Sequence, residues 1–237
     1  MQIKHIPRYL REIVSGEMYH KLVMRHSNSR RAVFSSIYQS NMWNHGAEGE
    51  SRSGEGSTVE VTANARRAIE TIIRERGIKT MLDAPCGDFN WMQHTSLEGV
   101  DYTGADIVPS LIAENNRRYA RPGRRFINLD IVEQTPEAYD LINCRDCIQH
   151  LSDADVRRVL MNFSRSGSKY LLITTSPAKS INHDIAKTGD FRPINLQGAP
   201  WNITGIEAEY VDFVSDDPRY QKVLLLIRLP IAILAAA

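Results

Sequence analysis

Residues 81 to 91 read MLDAPCGDFNW: an apolar run that closes on Asp83, then Ala84, Pro85, Cys86, a single glycine at 87, Asp88, and two aromatics either side of Asn90. An apolar run that ends on an acid and breaks into a turn holding Pro and Gly is the exit of a buried strand. Working outward, strands are expected at 79–83, 101–106, 125–130, 139–144 and 169–175, with two more near 208–214 and 221–228. Helical periodicity falls at 108–120 and at 153–165, the latter capped by Ser152 or Asp153. Strand then helix, repeated, predicts an α/β, doubly wound sheet of seven strands covered on both faces.

Upstream, Ser57-Thr58-Val59-Glu60 has the form of a capping box and predicts a helix from about residue 58, with Val61, Ala65, Ala68, Ile69 and Ile72 as its apolar stripe. Residues 1–56 then form an N-terminal helical extension or lid, and 57–237 the main domain. The Gly- and Ser-rich stretch before Ser57 reads equally as a flexible connection or as a loop covering a ligand. Between residues 176 and 205 the strand and helix pattern lapses, and a long irregular segment inside a domain is a functional or mobile one.

The chain has 237 residues, 42% of them hydrophobic and 24% charged, with a net charge of +1. The first 40 residues carry +5 and the remainder −4. Apolar residues interleave with that basic head at helical spacing, which favours a solvated helix face over a nucleic-acid or membrane surface. The basic run Arg117 to Arg125 lacks interleaved aromatics for base stacking, so nucleic acid is not expected as a partner. No secretory signal opens the chain, and its apolar end is interrupted by Arg228 and Pro230. A cytoplasmic protein with three reduced cysteines, Cys86, Cys144 and Cys147, is expected. Cys144 and Cys147 form a CxxC without a second ligand pair, so no metal site is expected.

In doubly wound sheets the ligand lies at the carboxyl ends of the strands, against the first turn. Pyrophosphate needs several glycines there; here Pro85 and Phe89 stand where two would fall, and Asp88 would repel phosphate at the mouth of the following helix. Asp106 closes the second strand and suits the two hydroxyls of a ribose. Asp130 closes the third and suits an exocyclic amine, with Ile107 and Ile131 flanking an adenine ring. Ribose, adenine, no phosphate and a positive centre describe S-adenosylmethionine.

LDAPCGD, GADI, NLDI and YDLINCRD, in that order and spacing, resemble the motifs of the class I S-adenosylmethionine-dependent methyltransferases. More narrowly, SGEGS, LDAPCGDFNW and RDCIQHLS are similar to a bacterial group of that family. The resemblance implies a Rossmann-like methyltransferase sheet and S-adenosyl-L-methionine as cofactor. The cofactor residues it implies are Asp83, Ala84, Cys86, Gly87, Trp91, Asp106, Ile107, Asp130, Ile131 and Arg145. It also implies that Trp43 and the SGEGS segment, including Ser57, fold over the site, and it points to an acceptor hydroxyl on a small molecule or glycan.

An oxygen acceptor needs a base, and His150, just past the fourth strand, is the natural one, with Asp146 as second candidate. His183 and Arg192 in the irregular segment are candidates for holding the acceptor. N-methylation of a small molecule and a nicotinamide-dependent oxidoreductase on a similar sheet remain as alternatives.

Overall fold

A computed structural model describes residues 27, 29–44, 49–178, 181–215, 217 and 221–231. The basic side chains from Lys4 to Arg25, the head's apolar stripe and residues 232–237 lie outside them. Helices α1 (Arg30–Ser40), α2 (Ala63–Arg76), α3 (Pro109–Tyr119) and α4 (Asp153–Arg165) accompany strands β1 (Thr80–Asp83), β2 (Asp101–Asp106), β3 (Arg124–Asn128), β4 (Leu141–Cys144), β5 (Tyr170–Thr175), β6 (Ile206–Phe213) and β7 (Lys222–Arg228).

The seven strands lie in the order β3-β2-β1-β4-β5-β7-β6. The first five pair in parallel, and β7 runs antiparallel between β5 and β6. Successive residues of a strand face opposite sides, and the two largest core clusters divide accordingly. Leu82, Ile142, Leu171, Ile173, Leu225 and Ile227 meet Val156, Val159, Leu160 and Phe163 of α4 on one face. Met81, Leu141, Leu172, Leu224 and Leu226 meet Ala65, Ala68, Ile69 and Ile72 of α2 on the other. Each such aliphatic side chain contributes about 1.5–3 kcal/mol on burial, so the central strands β1, β4, β5 and β7 are mainly apolar on both faces. Edge strand β6 alternates instead. Ser152 caps α4, its Oγ accepting from the Asp155 amide at 3.3 Å.

Three expectations need correction. The helix expected from residue 58 begins at Ala63, because residues 55–57 form a 3-10 turn and the Val59 amide bonds to Glu50 Oε1. The capping box is therefore not made. Second, the turn after β1 leads into a 3-10 turn, Met92–His94, and no α-helix follows Asp88. Phe89, at φ +60, drives its ring among Tyr102, Tyr119 and Phe126, which spends those residues on core packing. Third, β3 ends at Asn128, so Asp130 stands two residues past it.

Candidate active site

The carboxyl ends of β1, β2 and β4 open onto two neighbouring cavities with shared wall residues. The first, of about 70 Å³, is lined by Asp106, Ile107, Asp130, Ile131, Cys147 and Phe34 among others. The second, of about 430 Å³, is lined by Cys86, Gly87, Trp91, Arg145, Ser57, Phe191 and Lys222 among others. Tyr38, Trp43, Pro85, Asp146 and His150 belong to the walls of both.

The turn after β1 is built for close approach. Gly87 has φ +54, and a Cβ there would meet Ser53 Oγ at 2.4 Å. Its amide donates to Asp106 Oδ2 at 3.3 Å while Asp106 Oδ1 accepts from the Val108 amide at 3.0 Å. Burial pushes the Asp106 carboxyl up to about 6 against those amides. Each oxygen keeps a further lone pair for a hydroxyl. Gly104, inside GADI, has its own reason: a Cβ would meet the Phe126 ring at 2.6 Å.

Asp83 and Ala84 do not line either cavity. Asp83 is buried and ties β1 to both neighbours, accepting from Tyr102 Oη and from Asn143 Nδ2, each at 2.7 Å. Burial lifts its carboxyl to about 7. The strand-end acid is thus a structural joint.

Asp88, expected to repel phosphate, is saturated by donors. Ser51 Oγ lies at 3.0 Å, the Arg52 amide at 2.7 Å and the Asn90 amide at 3.2 Å. These bonds anchor residues 51 and 52, and residues 53–57 beyond them form a wall of the larger cavity, so that the Gly- and Ser-rich stretch is a covering loop where it is described. Ser57 sits in that wall.

Arg30 from α1 reaches across the smaller cavity to Asp130 at 3.2 Å, Glu133 at 2.5 Å and Asp155 at 3.3 Å. Asp130 is therefore engaged by the extension as well as by the Val132 amide. Phe34 and Tyr38 on α1, and Trp43 beyond it, complete the cover.

His150 lies between two rings, Trp43 at 5.6 Å and Phe191 at 5.7 Å. Its Nδ1 is 3.0 Å from the Asp190 carbonyl oxygen, which accepts only a proton-bearing nitrogen. Nε2 is then the nitrogen with the free lone pair. Burial lowers the His150 pKa, so the ring is neutral near pH 7.

Asp146 is a weak base. Burial acts to raise its pKa, but Arg145 and Lys222 prevail and hold the carboxyl well below the ordinary range. Its Oδ2 lies 2.5 Å from Lys222 Nζ and Oδ1 accepts from Gln149 at 2.8 Å. Arg145 is buried at 2% side-chain exposure, bonded through Nε to Asp212 at 3.0 Å and through Nη1 to the Gly56 carbonyl at 2.8 Å.

The irregular segment supplies another wall. The Gly189 amide donates to the His150 carbonyl, the Arg192 amide to that of Gln149, and Phe191, Pro193 and Ile194 face the larger cavity. His183 is exposed and lies outside both cavities. Arg192 is a clamp: its guanidinium is spent on the Leu151 carbonyl at 2.5 Å and on Asp153 at 2.6 Å. Tyr38, Gln149, Phe191 and Lys222 escaped the sequence reading. Nothing local in the sequence marks Lys222. Among the described residues no group of three or more His, Cys, Asp or Glu could hold a metal, and no helix is long and apolar enough to cross a membrane.

Residues 82–167 match the family model described as a methyltransferase domain. No curated protein matches the chain. Among solved structures, magnesium protoporphyrin IX methyltransferase from Synechocystis PCC 6803, with bound SAH, is similar at a TM-score of 0.57 and 11% identity, over 84% of this chain and 97% of that one. A Burkholderia thailandensis 1,6-didemethyltoxoflavin-N1-methyltransferase, with its substrate and S-adenosylhomocysteine, is similar at 0.54 and 17% identity, over 74% and 82%. A Clostridium acetobutylicum S-adenosylmethionine-dependent methyltransferase is similar at 0.53 and 13% identity, over 71% and 92%. At such identities the likeness is one of fold. The chain therefore has the Rossmann-like methyltransferase fold, and its residues 82–167 match a methyltransferase-domain model.

Proposed function

We propose that the protein is an S-adenosylmethionine-dependent methyltransferase acting on the hydroxyl oxygen of a small molecule or glycan, with His150 as the base. The observation that carries this reading is the place of His150, a neutral side chain in the shared wall of the two cavities with its proton held on Nδ1.

The residues present suit the cofactor. Ile107 and Ile131 offer an apolar slot for the adenine, Asp106 accepts from the ribose, and the turn at Cys86 and Gly87 lines the larger cavity, where the methionine portion would lie. In the adjoining cavity the charges are paired, Asp146 with Lys222 and Arg145, and Asp88 is held by Ser51 and the amides of Arg52 and Asn90. Bound S-adenosylmethionine supplies an electrophilic methyl carbon on its sulfonium. Trp43 and Tyr38 exclude water at the shared wall, and the Phe191 and Trp43 rings fix the imidazole plane. His150 Nε2 takes the hydroxyl proton as the acceptor oxygen approaches in line. The Lys222–Asp146 pair holds the β4 turn that carries these groups.

Incubation with methyl-labelled S-adenosylmethionine and fractionated cell extract tests the reading. Label on an oxygen of a small molecule or glycan, lost in His150→Ala, is the expected result. Label on nitrogen, undiminished in that variant, would replace it with N-methylation.

A further inference from the structure

We propose that Cys144 and Cys147 form a redox pair in the wall of the site, closed to a disulfide by hydrogen peroxide and reopened by a dithiol. Neither thiol has a part in the methyl transfer above. Cys144 is the last residue of β4 and is fully buried; Cys147, three residues on, is partly exposed and packs against the same core cluster. The two side chains, three residues apart across the turn after β4, pack in one core cluster, and Cys147 alone of the pair reaches a cavity wall. The Cys147 side chain and burial push the Cys144 thiol well above the ordinary cysteine range, which leaves the more accessible Cys147 to react first.

The residues between them make closure consequential. Arg145 and Asp146 line the larger cavity, and Asp146 already occupies the left-handed region at φ +50. Cys147 itself lines the smaller cavity, and its carbonyl accepts from the His150 amide at 3.0 Å. A bond from residue 144 to residue 147 draws the Cys147 side chain out of that wall and strains the turn that carries Asp146 and His150.

The chemistry balances in two steps. The Cys147 thiolate attacks one peroxide oxygen, the O–O bond breaks, hydroxide leaves and a sulfenic acid forms. The Cys144 sulfur then attacks the Cys147 sulfur; the S–S bond forms, the S–O bond breaks, and the departing hydroxide takes the remaining thiol proton as water. Two thiols lose two electrons to one peroxide, which becomes two waters. The chemical step stands apart from the proposed function, while its effect on ligand affinity rests on that reading.

Trypsin cuts after Arg145, between the two cysteines, so a disulfide would join the peptides Phe126 to Arg145 and Asp146 to Arg157. The folded protein is treated with peroxide, then denatured, alkylated and digested without reductant. Joined peptides, two hydrogens lighter than their sum and parted by dithiothreitol, are expected. S-adenosylhomocysteine affinity should fall about tenfold and recover with dithiothreitol. In Cys144→Ala the link is absent and Cys147 stops at a sulfenic acid that dimedone traps. Separate peptides with both thiols alkylated would overturn the pair, and a link that leaves affinity unchanged would overturn its control of the site. If the reduced protein failed to bind S-adenosylhomocysteine, the proposed function would fall while the peptide result still decided the pair.

Discussion

In the proposed function Asp106 holds and His150 reacts. Asp106 gives one oxygen to the Gly87 amide and the other to Val108, and so fixes the turn after β1. Asp106→Ala should weaken S-adenosylhomocysteine binding by about 1.5–3 kcal/mol, the scale of a bond to a charged group, as read by calorimetry. His150→Ala should cut turnover while leaving that affinity nearly intact; a full-speed variant would make His150 a packing residue. Its pH profile carries a sign. Burial holds the His150 pKa below its ordinary value of 6.5, so the base form predominates at pH 7, and turnover should drop as pH falls below that ordinary value. A break above pH 7.5 or so, outside that histidine range, would assign the titration to another group.

At the scale of elements, α1 and the segment 181–205 add walls to the cavities at the carboxyl ends of the strands. Arg30 joins α1 to three carboxylates from the turn after β3 and from α4. These groups are only partly screened, and Arg30→Ala should cost about 1 kcal/mol in denaturant unfolding, at the upper end for ion pairs near the surface. It should also speed release of S-adenosylhomocysteine, because Phe34, Tyr38 and Trp43 ride on the segment it anchors; unchanged release in stopped flow would separate the latch from the cover. Deleting residues 1–56 should abolish turnover. That span contributes Tyr38 and Trp43 to both cavities, along with Ser53 opposite Gly87.

For the whole molecule, the joint between strands carries a pH dependence. Asp83 titrates near 7 in the folded chain, against about 3.9 when unfolded. Between those values the folded state binds more protons, so stability falls as pH rises from about 4 to about 7 and then levels. Asp106 adds a smaller contribution of the same sign, ending near 6. Asp83→Asn should flatten the slope in thermal unfolding; an equal slope would place the proton elsewhere. The sheet was legible in the sequence because central strands must be apolar on both faces and their exits must turn, as Leu82 to Gly87 do. The start of α2 was not, since long-range bonds from Glu50 and Asp88 outrank a local cap. For the same reason the strand-end acids looked alike in one dimension: Asp106 faces a cavity, Asp83 is sealed between strands, and Asp130 is taken by an arginine 100 residues away. Arg192 and His183 were indistinguishable as loop polar residues until one was buried under Leu151 and the other left in solvent. The most direct measurement is a crystal structure with S-adenosylhomocysteine. Adenine is expected between Ile107 and Ile131, ribose on Asp106 and the sulfur turned toward His150 beside Trp43; a nucleoside lodged elsewhere, or a sulfur facing away from that imidazole, would contradict the proposed function.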